Sequence, residues 1–134
     1  MESPVFLTKS QVLFIHQDLV EDFGGSHGLR DEGLLESAIE MPQAGFGGEY
    51  FHKSLFEMAA AYLFHLVKNH PFIDGNKRIG LACADVFLSM NGIELTITED
   101  EAYEFTLRVA SEGAEKAEIT LFFQTNSKSI DVDG

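Results

Sequence analysis

Apolar residues in this chain return every third or fourth position far more often than every second, which is the spacing of a helix face. Val12, Ile15, Leu19 and Phe23 form the first series, opened by Thr8 and Gln11 in a capping-box arrangement and stopped by Gly24 and Gly25. A short helix is predicted from Asp31 to Glu40, ended by Pro42. Ser54 and Glu57 make a second capping box. Leu55, Met58, Ala59, Tyr62, Leu63 and Leu66 then leave little polar face before Lys68, as expected of a helix in the centre of a domain. A fourth helix is predicted from Asn76 to Asn91, with Gly92 just past its end. Thr98 and Glu101 form a third capping box, opening a helix that runs to Glu112 before Gly113, and a last helix spans Glu115 to Gln124. "IELTI", from Ile93, reads as a short extended connection, and the glycine-rich "QAGFGGEYF" as a loop or flap. Strand signals are few. The prediction is an all-α, single-domain bundle of about six helices over residues 1–124, followed by a polar tail, 125–134, that frays.

Composition narrows the class. A length of 134 residues suits one domain with a real core, and 45% hydrophobic residues with twelve Phe is a globular composition. The single Cys83 rules out an internal disulfide and fits a reducing compartment. No apolar run approaches the roughly 18 residues of a membrane helix, and "MESPVFLTKS" lacks the features of a signal peptide. The expectation is a soluble cytoplasmic protein with no membrane association. The net charge of −13 argues against direct binding to nucleic acid. It suits a basic partner, and a plain solvated acidic face explains it equally well. Of only nine Lys and Arg residues, two stand side by side as Lys77 and Arg78.

Those two close the most polar stretch between the predicted helices, "NHPFIDGNKRIG", Asn69 to Gly80. Pro71 breaks the chain after the central helix, and Phe72 can plug the loop into the core. Gly75 permits a positive φ, and Asn76 begins the next helix. A helix N-terminus carries unpaired N–H groups and about half a positive charge, so it attracts anions. With Lys77 and Arg78 added, it can hold several phosphates. Asp74 can hold Mg²⁺, which takes one or two carboxylates together with phosphate oxygens. His70 carries the one kind of side chain here that ordinarily titrates near neutral pH and can take a proton from an attacking hydroxyl. Base, metal ligand and phosphate cradle are the parts of phosphoryl or nucleotidyl transfer. The same residues also suit a structural loop, with His70 capping one helix, Asp74 and Asn76 capping the next, and the bases solvated. The spacing of a Walker P-loop is absent.

"HPFIDGNKR" resembles the signature of the Fic/Doc superfamily: His, any residue, Phe, any residue, an acid, a small residue, Asn, Gly or Lys, then Arg. "FLTKSQVLFIHQDLVEDFGGSHGLRDEGLLESAIEMP", "FHKSLFEMAAAYLFHLVKNHPF" and "FLSMNGIEL" are similar to segments of its death-on-curing (Doc) toxin branch, so the likeness covers residues 5–124. It implies a Fic-like helical bundle with a loop-helix phosphate site. In that family His70 would be the general base, Asp74 would hold Mg²⁺ or orient ATP, and Gly75, Asn76, Lys77 and Arg78 would bind nucleotide phosphates. AMP-transferring members usually carry Gly where this chain has Lys77. The Doc branch has Lys there, which implies an inverted ATP and transfer of the γ-phosphoryl group to a hydroxyl of elongation factor Tu. Gly75 departs mildly from the Ala found in some Doc proteins. A flap that aligns the target peptide should precede the central helix, near Gly45 to Tyr50. The inhibitory helix of some family members needs Ser or Thr four residues before a Glu followed by Gly or Asn. Here Arg108 precedes Glu112 and Gly28 precedes Glu32. The resemblance therefore implies inhibition in trans by a Phd-like antitoxin. The alternatives are an AMP transferase acting on a protein hydroxyl, and a binding protein that keeps the fold without catalysis.

Other residues read as structure. His16 is expected as a packed or capped core histidine, His65 as part of the buried helix, and His27 and His52 as exposed loop residues. No pair of them has zinc-site spacing. Arg30 and Asp31 read as a helix start, with Arg30 a possible wall of the site, Cys83 as a small buried hydrophobe, and Phe122 and Phe123 as core rather than a partner's groove.

Overall fold

The computed structural model describes residues 3–130. Six helices carry the fold: α1 Lys9–Phe23, α2 Glu32–Glu40, α3 Leu55–Asn69, α4 Asn76–Met90, α5 Glu99–Glu112 and α6 Lys116–Thr125. Two small antiparallel pairs complete it: β1 Gly45–Phe46 with β2 Glu49–Tyr50, and β3 Ile93–Leu95 with β4 Ser127–Ser129. The all-α prediction holds.

The caps explain where the helices begin. Thr8 and Thr98 each accept from the amide three residues on, and Gln11 and Glu101 bond back in full capping boxes. Asp31 caps α2 by accepting from Leu34 N. Ser54 caps α3 through Glu57 N, but Glu57 returns its bond to Lys53 N, one residue before the cap, so that box is displaced rather than closed. Pro42 sits in a 3₁₀ turn, Met41–Gln43, that continues directly from α2.

α3 is the central helix that its sequence predicts. Met58, Ala59, Ala60, Ala61, Tyr62, Leu63, Leu66 and Val67 are all buried, and α4, α6, α2 and α5 pack around it. Its one buried phenol, Tyr62, accepts from Leu7 N at 3.0 Å, and burial pushes its hydroxyl up to about 12. The short run of small residues at 59–61 lets neighbouring helices approach closely, while Phe87, Phe72 and Phe123 fill the space around it.

Two features depart from the sequence reading. On α1 the buried stripe is Val12, His16 and Val20, at exact four-residue steps; Phe23 is 55% exposed. His16 is buried in that stripe as expected, Ile15 and Leu19 pack partly buried against the core beside it, and the departure is the outward-facing Phe23. The tail expected to fray from Asn126 is instead paired: Thr96 N donates to Asn126 O and Ile130 N to Gly92 O, flanking the β3–β4 ladder. "IELTI" supplies an open edge, and backbone bonding is indifferent to the polar side chains of "NSKS". Residues 131–134 lie outside the described residues.

The glycine-rich segment forms a hairpin. Gly47 and Gly48 take φ of 62° and 86°, the positive pair that a two-residue turn matched to strand twist requires.

Candidate active site

α3 stops because Pro71 disfavours the helical conformation in the residue before it. His70 takes up the change of direction with φ 48° and ψ 53°, and it is the one non-glycine residue with positive φ among the described residues. That conformation costs about 1–3 kcal/mol and is held by its surroundings. Arg30 holds it: Nε donates to His70 O at 2.6 Å and Nη2 to Asn69 O at 2.8 Å. The guanidinium thus satisfies the last carbonyls of α3. Arg30 is a cap for this helix end rather than only a wall.

The whole α1–α2 connection runs along the motif. Arg30 N and Asp31 N both donate to Pro71 O, at 2.7 and 3.0 Å, and Ile73 N donates to Gly28 O at 3.0 Å, with Leu29 opposite Phe72. Phe72 is 2% exposed and anchors the loop as expected. His16 lies flat on it, ring centroids 3.7 Å apart, and donates Nε2–H to Asp74 O at 2.7 Å. Burial lowers the tendency of His16 to charge, against the opposing pull of that carbonyl.

Asp74 is exposed. Its Oδ2 accepts from Ser26 N and its Oδ1 from Gly75 N, each at 3.2 Å, which fixes the carboxylate and leaves lone pairs on both oxygens. Gly75, φ 78°, is the N-cap of α4 and has no side chain to cap with. The first bond of α4 runs from Ile79 N to Gly75 O, so the amides of Asn76, Lys77 and Arg78 are the orphan donors of this helix start.

Two side chains of the expected phosphate set are engaged elsewhere in this structure. The Asn76 side chain is buried and committed: Oδ1 accepts from Phe72 N at 2.9 Å and Nδ2 donates to Phe72 O at 3.0 Å. What it can offer an anion is its backbone amide. Arg78 is sandwiched, its guanidinium 3.9 Å from the Phe23 ring and 4.2 Å from the Tyr103 ring. It borders a groove of about 570 Å³ between α1, α4 and α5, rimmed by Asp85, Glu94, Glu99 and Asp100. Burial, with Glu99 and Glu94 nearby, raises the Asp85 carboxyl above its usual range.

The loop therefore brings His70, Asp74, Gly75 and the start of α4 together. Among the described residues no group of three or more His, Cys, Asp or Glu converges to hold a metal. Asp74 alone fits an ion that brings most of its ligands as phosphate and water oxygens, which is the habit of Mg²⁺.

His27 is exposed as expected; His52 is not. It is half-buried, its Nδ1 is buried without a hydrogen-bond partner, and its Nε2 is 3.4 Å from Lys116 Nζ. The same ammonium is 3.3 Å from His65 Nε2. Burial, helped by Lys116, lowers both histidines, His65 to about 4. The packing of α6 on α3 creates this cluster, and spacing along the chain gives no sign of it. Cys83 is fully buried, which pushes its thiol up. Phe123 is fully buried in the core, while Phe122 is half-buried, stacked on Phe105 at 3.8 Å and lining a surface groove between α5 and α6.

With this geometry in view, the family model of the Fic/DOC family matches residues 6–88, the span from just before α1 to the end of α4. The chain belongs to the Fic/DOC family. It is 44% identical over 78 residues to Toxin Doc of Mycolicibacterium smegmatis, covering 58% of this chain and 60% of that protein. It is 33% identical over 89 residues to Protein kinase doc of Escherichia phage P1, covering 66% of this chain and 70% of that protein. The match to the mycobacterial relative thus spans 60% of that relative's length. Both relatives are Doc proteins, so the likeness falls in the Doc branch. The family match contains the motif, its supports His16 and Arg30, and the hairpin before α3; α5, α6 and the β3–β4 pair follow it. Reading the motif alone misses those two supports, because each acts on main-chain carbonyls that carry no mark in the sequence.

Proposed function

We propose that this Fic/DOC chain is the toxin of a toxin–antitoxin module and acts as a protein kinase, moving the γ-phosphoryl group of ATP to a hydroxyl of elongation factor Tu in the cytoplasm. The observation that carries the reading is Lys77 standing in the first turn of α4, directly after the left-handed Gly75, beside the His70 turn. A Lys there takes room that an AMP-transferring site leaves to the α- and β-phosphates, and one relative bears the name of a protein kinase.

In this mechanism His70 accepts the hydroxyl proton as the hydroxyl oxygen bonds to phosphorus and the bond to the ADP oxygen breaks. The free amides of Asn76, Lys77 and Arg78, which the left-handed Gly75 leads into, and the Lys77 ammonium hold the phosphate oxygens. Asp74 would hold Mg²⁺, which supplies charge neutralisation on the transferring group. Arg78 joins the phosphate set by leaving its place between Phe23 and Tyr103. The β1–β2 hairpin, whose Phe46 is 84% exposed, takes the part of the flap that receives the target segment. A Phd-like antitoxin acts in trans, and the acidic rim of the groove between α1, α4 and α5 suits a basic segment of that partner.

The test is a mass spectrum of elongation factor Tu after incubation with the protein, Mg²⁺ and ATP. A phosphate-sized gain that disappears with His70→Ala supports the kinase. An AMP-sized gain replaces it with nucleotidyl transfer. No gain on any hydroxyl-bearing translation factor, with partner binding intact, leaves a binding protein.

A further inference from the structure

We propose that His16 is the positioning residue of this site: by holding the Asp74 carbonyl and the Phe72 ring at once, it sets the turn that presents both the Asp74 carboxylate and the N-terminus of α4 to a magnesium nucleotide. This rests on the reading that the turn binds nucleotide phosphate.

His16 is 3% exposed on the core side of α1, yet its polar contact and its close ring contact both go to the motif loop. Nε2–H meets Asp74 O at 2.7 Å, and the ring lies 9° from parallel with Phe72. The peptide it holds joins Asp74 to Gly75, so turning that peptide moves the carboxylate and the helix start together. Gly75 has no side chain to limit such turning, and a Cβ on it would lie only 3.4 Å from His16 Nε2. The freedom that glycine leaves to the loop is removed from outside, by α1. An apolar residue in place of His16 could fill the volume. It would leave the Asp74 carbonyl without its donor, and the turn would sample other orientations.

The test compares His16→Leu, which fills space without a donor, with His16→Gln, whose amide nitrogen reaches about as far as Nε2. Both lose the ring stack, so the difference between them reports the hydrogen bond. For His16→Leu, the KM for Mg–ATP and the Mg²⁺ concentration at half-maximal rate should rise roughly tenfold. His16→Gln should stay within about threefold of the parent. A purely structural residue would lower the folded fraction and kcat alike and leave KM unchanged, and that pattern would overturn the proposal. If His16→Leu does not fold, His16→Asn, whose amide stops short of Asp74 O, takes its place. Amide exchange at Gly75 and Asn76 is measured on the same proteins and does not depend on catalysis. Faster exchange in the donor-less variant, in a protein that neither binds nor turns over ATP, would keep the positioning role and sink the kinase reading. Equal exchange in the Leu and Gln variants would sink the positioning role itself.

Discussion

Arg30 and His70 lie forty residues apart, and the guanidinium Nε of one donates to the main-chain carbonyl of the other at 2.6 Å. The bond falls on the described residue that combines a side chain with a left-handed backbone, and that is the residue proposed to take the proton. Arg30→Ala should loosen the end of α3. The cost expected is about 1 kcal/mol in denaturant unfolding, with a fall in phosphoryl transfer of tenfold or more. Arg30→Lys cannot reproduce the two-pronged contact with Asn69 O and His70 O and should recover little of the rate. Transfer at the parent rate in Arg30→Ala would show that His70 needs no such support.

Asn76→Ala should be the more damaging change to folding. It strands the buried amide and carbonyl of Phe72, each of which pairs with the Asn76 side chain. An unsatisfied buried group costs about 1–3 kcal/mol, so a loss of several kcal/mol is expected, read by thermal or urea unfolding. Asn76→Asp keeps the acceptor, loses the donor and should fall between. A stable Asn76→Ala protein that has lost only phosphate binding would restore to this side chain a direct role in the site.

Acid should weaken the fold before any carboxylate accounts for it. His16, His52 and His65 are all lowered in the folded protein, His65 to about 4. The unfolded chain therefore binds more protons between the ordinary histidine value of about 6.5 and the lowered values. Stability rises with pH across that window, is fully present above it, and falls away as pH drops from about 6.5 toward 4. His65→Leu should flatten that slope in unfolding curves collected at successive pH values. A slope unchanged in the variant would mean that Lys116 and burial do not act on His65 as its surroundings indicate.

Asp85 carries the opposite sign. Its carboxyl is raised in the fold, so the ionised group disfavours folding as pH rises through the folded value. Asp85→Asn should raise the melting temperature near neutral pH, and the gain should shrink in acid. A lower melting temperature at pH 7 would indicate that the carboxylate is stabilised by a partner after all.

Removing residues from Asn126 onward deletes β4 and the acceptor for Thr96 N. A clear fall in melting temperature is expected, with the α3–α4 half of the molecule intact. An unchanged melting temperature would return these residues to the status of a dispensable tail.

What could be read from the chain, and what could not, divides along one physical line. Helix starts were legible because Thr8, Asp31, Ser54 and Thr98 act on amides three residues away, within the reach of local sequence. The centrality of α3 was legible because a helix with almost no polar face has nowhere else to go. The exposure of Phe23 was not, since it keeps helical spacing from Leu19, and the Arg78 that lies over its ring arrives only in three dimensions. The pairing of β4 was hidden because main-chain bonds ignore side-chain polarity. In the motif, the identities of His70, Asp74 and Lys77 were plain, whereas the inward commitment of Asn76 and the sandwiching of Arg78 depend on Phe72, Phe23 and Tyr103 arriving in three dimensions.

The seam between the α1–α2 connection and the motif loop also fixes an order of events in synthesis. Gly28, Arg30 and Asp31 leave the ribosome long before Pro71 and Ile73, and the bonds between them cannot form until the second group has emerged and α4 has begun to coil. A growing chain therefore carries Gly28, Arg30 and Asp31 for a time without the turn they brace. The turn is thus completed only after more than half of the chain has been made, while the residues that brace it are already present from its first quarter.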